Sequence, residues 1–405
     1  MTAPLVSSLS RGHHEWRFRW SVRTEHVEVR TNCQQRIICG MTPLKNICRL
    51  LFGVGIVFPL LFIARAAESS SFPANQWVVL KPGTPSPGGR GWHQVSYDSE
   101  FKEVILFGGS ASTYMSDTWT YSLETNTWTM RRPHPDLEGP CRRDNHNLVY
   151  DPVGRQHWLL NGVAYDNLQP NCSGFAAARR VGIWSYSRAT NKWTRHDSIS
   201  GTPRRVAPGM AYNPDNHTFL QFGGGEIKKS NATFVFDIAK RAWRQIKTSP
   251  SPPPRINIEG GLVYDKTNKV FVLFGGRGNS GFLNDTWLFD PATESWREMT
   301  PKVSPPARDV HAMAYDDVNQ VTVLFSGRRG GERSATARES AEGKRSLNDT
   351  WIYEARKNTW TELTNVGNPP GRVHASAVYD PFQRVILVVT GRDTLVFNYK
   401  PTNGR

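Results

Sequence analysis

The sequence predicts an all-β chain built as a six-bladed β-propeller, with the last blade closed by an N-terminal strand. Three observations predict it. A segment ending in Tyr recurs six times, at Tyr97, Tyr150, Tyr212, Tyr264, Tyr315 and Tyr379. A continuous apolar run ending in Gly follows each, as in Val104-Ile105-Leu106-Phe107 and Val270-Phe271-Val272-Leu273-Phe274. A Trp-led segment closes five copies, at Trp128, Trp193, Trp243, Trp296 and Trp360, but none follows the sixth Tyr. A fixed period of this length marks a repeat array, in which one unit cannot bury both faces alone and a closed ring can.

Along the chain, residues 1–40 hold six Arg and no clear apolar period. They are read as an extension, with Met41 as the expected true start. Residues 41–66 read as a secretory signal peptide. Lys45 and Arg49 supply positive charge, Leu50 to Ala64 an uncharged apolar run, and Ala64-Arg65-Ala66 a small-residue cleavage pattern. An uncleaved membrane anchor is the alternative. The run falls short of the roughly 20 residues a spanning helix needs, and Gly53, Gly55 and Pro59 interrupt it. A secreted or periplasmic protein is expected, with no stable membrane span after cleavage. Cys33, Cys39 and Cys48 would leave with the signal. Cys141 and Cys172 remain, an even pair in an oxidising compartment, and a disulfide between them is expected; two free thiols are the alternative.

The propeller is expected over 76–400. Each copy supplies four strands. The second, apolar throughout, implies burial on both faces, which a blade between two neighbours provides. Gly pairs such as Gly108-Gly109 and Gly275-Gly276 end it where the backbone must turn. The third reads Asp-Thr-Trp and the fourth opens with Trp. The sixth copy ends near Phe397, and Gln76-Trp77-Val78-Val79-Leu80 matches the missing fourth strand, because Pro85 and Arg90 follow it as Pro370 and Arg372 follow Trp360. Pairing the two ends closes the ring and removes free sheet edges. Gly 34, Pro 27 and Trp 14 suit short strands, tight turns and an aromatic core.

These features resemble the Kelch repeat. The resemblance rests on the Tyr-terminated first strand, the Phe-Gly-Gly second strand, Asn284 to Trp287 and Asn348 to Trp351 in the third, and the Trp-led fourth. It implies the propeller fold. It leaves function open, because Kelch propellers include binding modules and enzymes.

The loop before strand one and the loop between strands two and three are expected on one face. Three features meet there. Arg90, Arg143, Arg205, Arg255, Arg308 and Arg372 each open an inner strand. Five stand seven residues before their Tyr and Arg255 stands nine before Tyr264. As a ring of open forks they would suit carboxylate, sulfate or phosphate; as repeat elements they would pair with carboxylates such as Asp285 or Asp349. His93, His146 and His311 stand four before their Tyr, with His374 offset by one. They are read as repeat elements on the rim and no metal is assigned to them. Two enlarged loops complete the set. Val163 to Arg180 carries Cys172; Arg328 to Ser346 is rich in Arg, Glu, Ser, Ala and Gly. Long loops on a rigid scaffold are where specificity is usually placed.

The formal net charge is +15, and residues 1–66 alone hold nine Lys/Arg against three Asp/Glu. The remaining charge is dispersed, with no basic helix and no nucleic-acid motif, so nucleic acid is not expected as a partner. No catalytic residues and no cofactor are assigned, because no G-x-S-x-G, H-E-x-x-H or P-loop sequence is present. The expected function is an exported, monomeric, non-catalytic scaffold that binds a protein or glycan. The alternative is a carbohydrate-active enzyme on a small anionic sugar, because the Arg ring also resembles that of periplasmic sialic-acid epimerases.

Overall fold

The computed structural model describes residues 70–164, 182–199, 201–203, 205–225, 228–329 and 346–401. The extension, the signal segment, Cys172 and most of the second insertion lie outside them. Six sheets of four antiparallel strands follow one another. Blade one holds Gln94–Asp98, Glu103–Phe107, Thr118–Ser122 and Thr127–Arg132. Blade two holds Arg143–Asp151, Gln156–Ala164, Trp184–Ser187 and Lys192–Arg195. Blade three holds Gly209–Asn213, Thr218–Phe222, Thr233–Asp237 and Ala242–Ile246. Blade four holds Leu262–Asp265, Val270–Arg277, Phe282–Asp290 and Ser295–Met299. Blade five holds Ala312–Asp316, Val321–Phe325, Thr350–Glu354 and Thr359–Leu363. Blade six takes Ser376–Asp380, Val385–Val389 and Thr394–Phe397 from the C-terminal side and Trp77–Leu80 from the N-terminal side. There Trp77 pairs with Phe397 and Leu80 with Thr394, as the sequence predicts. No helix among the described residues is long and apolar enough to cross a membrane.

The repeat residues now have physical reasons. The second strands are sealed on both faces: Val104, Ile105, Leu106 and Phe107 are all at most 1% exposed. The aspartate after each Tyr accepts backbone N–H groups of the following turn, at Glu100, Val153, Val318 and Phe382, and Asn213 does the same for Asp215. Such a side chain mimics a backbone turn, so Asp or Asn is needed there. The fourth-strand Trp reaches into the preceding blade and donates its indole N–H to a threonine of the third strand. Trp128 donates to Thr394, Trp193 to Thr118, Trp296 to Thr233, Trp360 to Thr286 and Trp77 to Thr350. Trp243 is the exception. Ile183 stands where its threonine would be, and the buried Trp243 indole N–H has no acceptor.

In four blades a glycine following the second strand's apolar run stitches that blade to the next. The Gly109, Gly162, Gly224 and Gly327 amides donate to the Arg143, Arg205, Arg255 and Arg372 carbonyls. Gly109 has φ +91, and a Cβ there would lie 2.7 Å from the Gly91 carbonyl and 2.9 Å from the His93 Cβ. Only glycine fits such a left-handed, crowded position.

Candidate functional site

The face carrying the inner-strand openings was the expected site, and its arginines are placed differently from an open ring. Arg90, Arg143, Arg255 and Arg308 are at most 6% exposed. Arg255 grips Asp285 with Nη1–Oδ1 2.8 Å and Nη2–Oδ2 2.6 Å, and Arg308 grips Asp349 in the same way. Arg90 pairs with Asp117 at 2.6 Å, and the half-buried Arg372 with Asp393 at 2.9 Å. Each clasp also reaches backbone: Arg255 Nη1 donates to Gly275 O and Arg308 Nη1 to Ser326 O. The aspartates at 117, 285 and 349 accept in addition from the indole two residues later. These guanidiniums therefore lock the loop between strands two and three to the inner strand. Arg90, Arg143, Arg255 and Arg308 present no open fork, so the geometry lends the anionic-sugar enzyme no support from them.

Blade two breaks the pattern. Gly182 stands where blades one, four and five have Asp117, Asp285 and Asp349, and Arg143 is buried without a carboxylate among the described residues. Its contacts are carbonyls at 3.2–3.5 Å, and its Nη2 has no acceptor. Burial, reinforced by the Arg195 charge, pulls its pKa down to about 9. In blade three Arg205 lies over the Phe234 ring.

The histidines are wedges between blades, below the rim. His93, His146 and His311 are at most 1% exposed. His93 Nε2 lies 3.2 Å from the Val389 carbonyl across the closure. Burial lowers His93 to about 4 and His311 to about 3, and lowers His146 well below the imidazole range, with neighbouring Arg90, Arg308 and Arg143 adding to it. They are neutral across the physiological range. Among the described residues no group of three His, Cys, Asp or Glu is placed to hold a metal ion.

A further relay joins blades one and two. Ser96 Oγ lies 2.7 Å from His157 Nδ1, and His157 Nε2 lies 3.0 Å from Asp98 Oδ2. The order resembles a nucleophile relay. However, Ser96 is 4% exposed and His157 0%, and Asp98 is occupied in capping its turn. The relay fastens two blades together.

What faces solvent is the mouth of the axial channel. Two residues after each arginine the backbone turns left-handed, at Trp92, Asn145, Ala207, Asn257, Val310 and His374, with φ between 49° and 60°. Non-glycine residues in this region store strain, and a β-branched Val310 there is a true outlier. The strained residues form a belt of backbone hydrogen bonds around the axis. Ala207 N donates to Asn145 O, Ile258 N to Ala207 O, Val310 N to Asn257 O and His374 N to Val310 O. Between blades six and one, the His374 ring instead packs tilted against Trp92, centroids 3.5 Å apart. Beside that pair lies a cleft of about 620 Å³ that also includes Ser110, Arg372 and Arg392. Beneath the belt runs a channel of about 380 Å³, bounded by all six first strands and reaching the six repeat tyrosines.

Sequence reasoning missed Glu259, which lines this channel at its mouth. It sits in a two-residue insertion, Ile258-Glu259, which no other blade has between its arginine and its first strand. The nine-residue spacing from Arg255 to Tyr264 was the visible signal.

The comparisons agree with the architecture. A family model described as the KLHDC2/KLHL20/DRC7 Kelch-repeats domain matches residues 70–258 and 177–391. The chain belongs to this Kelch-repeat family. Among curated proteins, this Kelch propeller is 28% identical over 222 residues to adagio-like protein 1 of Oryza sativa subsp. japonica, covering 50% of this chain and 32% of that protein. It is 29% identical over 167 residues to adagio-like protein 3 of the same plant, covering 39% and 24%. It is 26% identical over 193 residues to acyl-CoA-binding domain-containing protein 5 of Arabidopsis thaliana, covering 46% and 27%. The matched part of the Kelch propeller spans about a third or less of the length of these relatives.

Proposed function

We propose that this Kelch propeller is a non-catalytic scaffold, exported from the cytoplasm, that docks a protein partner on the face carrying the axial mouth. The observation that carries the reading is convergence. The strained belt, the Trp92–His374 cleft and the flanks of both long insertions, Ala164, Gly182, Arg329 and Ser346, all belong to the loops of one face. A rigid ring that gathers loops on one side is suited to hold a partner. Aromatic and Arg side chains such as Trp92 and Arg392 are the types that dominate interface energies.

Export rests on the 41–66 segment. An expected Cys141–Cys172 bridge accords with it: Cys141 is 3% exposed, carries no free thiol, and packs beside Ala164, the residue leading into the Cys172 loop. The test uses the full chain expressed in its own host. Mature protein should begin near residue 67 and lie outside the cytoplasm, and alkylation without reductant should leave Cys141 and Cys172 unmodified. Proximity labelling should recover a partner whose recovery falls at least about tenfold in Trp92→Ser or Arg392→Glu. Recovery unchanged by both substitutions would refute the assigned face. A glycan is the second reading, because the Trp92 ring beside Arg372 and Arg392 could stack on a sugar. A glycan array with the same two variants decides between them.

A further inference from the structure

The axial mouth carries chemistry opposite to the protein's overall charge. Three carboxyl groups gather there: Asp144 from blade two, Glu259 from blade four and Asp309 from blade five, with Arg328 among them. Of the three, Glu259 lines the channel, and the charges of Asp309 and Asp144 act on it. Their partners differ. Asp309 is satisfied, with Arg328 donating from Nε at 3.0 Å and Nη2 at 2.7 Å and Asn257 Nδ2 at 2.8 Å. Asp144 has only neutral donors, Asn145 Nδ2 at 2.8 Å and Ser110 Oγ at 3.4 Å. Among the described residues Glu259 has no side-chain hydrogen-bond or ion-pair partner. It is 9% exposed, and that remaining exposure opens onto the channel. A carboxyl held out of bulk water without a donor is costly and is normally compensated.

The geometry points to a binding site at the axial mouth for a protonated primary amine, seated on the Glu259 carboxyl where it faces the channel. The inference rests on the scaffold reading for one of two sources, the lysine side chain of a docked partner; the other is a free alkyl polyamine. An ammonium carries three donors, enough for the Glu259 carboxylate and neutral acceptors such as the amide oxygen of Gln94, which also lines the channel. The belt of left-handed residues fixes the opening before any ligand arrives, so little ordering opposes binding. Burial, then the Asp309 and Asp144 charges, holds the empty Glu259 carboxyl up at about 8. An arriving ammonium favours the ionised form, so binding at neutral pH should expel a proton and strengthen as pH rises toward 8.

Isothermal titration of the full chain tests this with three probes: acetyl-Gly-Lys-Gly-amide, its norleucine counterpart, and spermidine. The lysine peptide or spermidine should bind, with proton release seen as a heat that depends on the buffer's ionisation enthalpy. The norleucine peptide should not bind. Glu259→Gln should weaken the amine about tenfold or more and abolish the proton release. Binding of spermidine alone would identify a free amine as the source; binding of the peptide would identify a partner's lysine. Equal binding by the norleucine peptide, no binding by either amine, or less than a twofold effect of Glu259→Gln would overturn the site. If Glu259→Gln fails to fold, the wild-type proton release decides the matter: its absence on amine binding overturns the site. Partner recovery that survives Glu259→Gln while both amines fail sinks the site and leaves the scaffold reading intact. Amine binding with no partner recovered does the reverse.

Discussion

Glu259→Gln should also stabilise the free protein, in a pH-dependent way. The carboxyl titrates at about 8 in the folded chain against 4.5 for the unfolded reference. The sign follows from linkage. Below pH 4.5 the group is protonated in both states and contributes no difference. Between 4.5 and 8 the unfolded chain gains by ionising and the folded chain does not, so stability falls as pH rises. Above about 8 both are ionised and the loss is complete. The whole gap sets an upper limit of about 5 kcal/mol at pH 8. Access to channel water reduces this, and about 2 kcal/mol is the expected difference. Glutamine keeps the shape of the neutral acid and cannot ionise, so it removes the pH-dependent loss. Urea unfolding followed by tryptophan fluorescence, for wild type and variant at pH 4, 6 and 8, measures it. The curves should coincide at pH 4 and separate progressively, with the variant more stable and the m-values equal. A difference that does not change with pH, or a variant less stable at pH 8, would refute the reasoning about this carboxyl.

Three further outcomes follow from the clasps and the closure. Asp285→Ala leaves Arg255 buried without a counter-charge and the Trp287 indole without an acceptor, which should cost about 3 kcal/mol in urea unfolding; a loss below about 1 kcal/mol would show that the clasp is not structural. Gly182→Asp should do the opposite. Its Cβ would meet the Arg195 side chain at 3.1 Å (Nε) and the Trp184 indole at 3.3 Å (Nε1), so Arg195 must shift slightly, and the new carboxylate would serve Arg143 and Trp184 as Asp117 serves Arg90 and Trp119. A gain of about 1–2 kcal/mol is expected, and a lower urea midpoint would contradict it. Trp77→Ala removes a ring set 4.4 Å from Phe325 and 4.9 Å from Phe397, together with the bond to Thr350. It should cost about 3–5 kcal/mol, and amide exchange should accelerate first in Thr394–Phe397, the strand Trp77–Leu80 covers. Uniform acceleration across all blades would show that this seam is not the weak point.

The sequence by itself determined the blade count, the strand order and the closure. Each rests on local physics repeated six times. An Asx-turn needs Asp or Asn after Tyr97 as after Tyr379, a stitch between blades needs Gly109 as it needs Gly327, and an indole spanning two blades needs Trp128 as it needs Trp360. A residue type that recurs with the period reports the structure it serves. That same regularity hid the site. The spacing of Arg90, Arg255 and Arg308 left two readings open, a ligand ring or repeat elements paired with carboxylates such as Asp285 or Asp349, because Asp117, Asp285 and Asp349 lie 27 to 41 residues further on. Only the folded loop brings each pair within 2.5–2.8 Å and turns an open cation into a clasp. The acidic mouth was hidden more deeply. Asp144 and Asp309 follow the repeat arginines Arg143 and Arg308, but Glu259 sits in an insertion of a third blade, and only the closed ring brings their charges to bear on it. Repeat positions report on packing, which is local to each blade and its neighbour. Departures from the repeat, such as the Ile258-Glu259 insertion and Gly182, acquire meaning only when the closed ring sets what stands across from them.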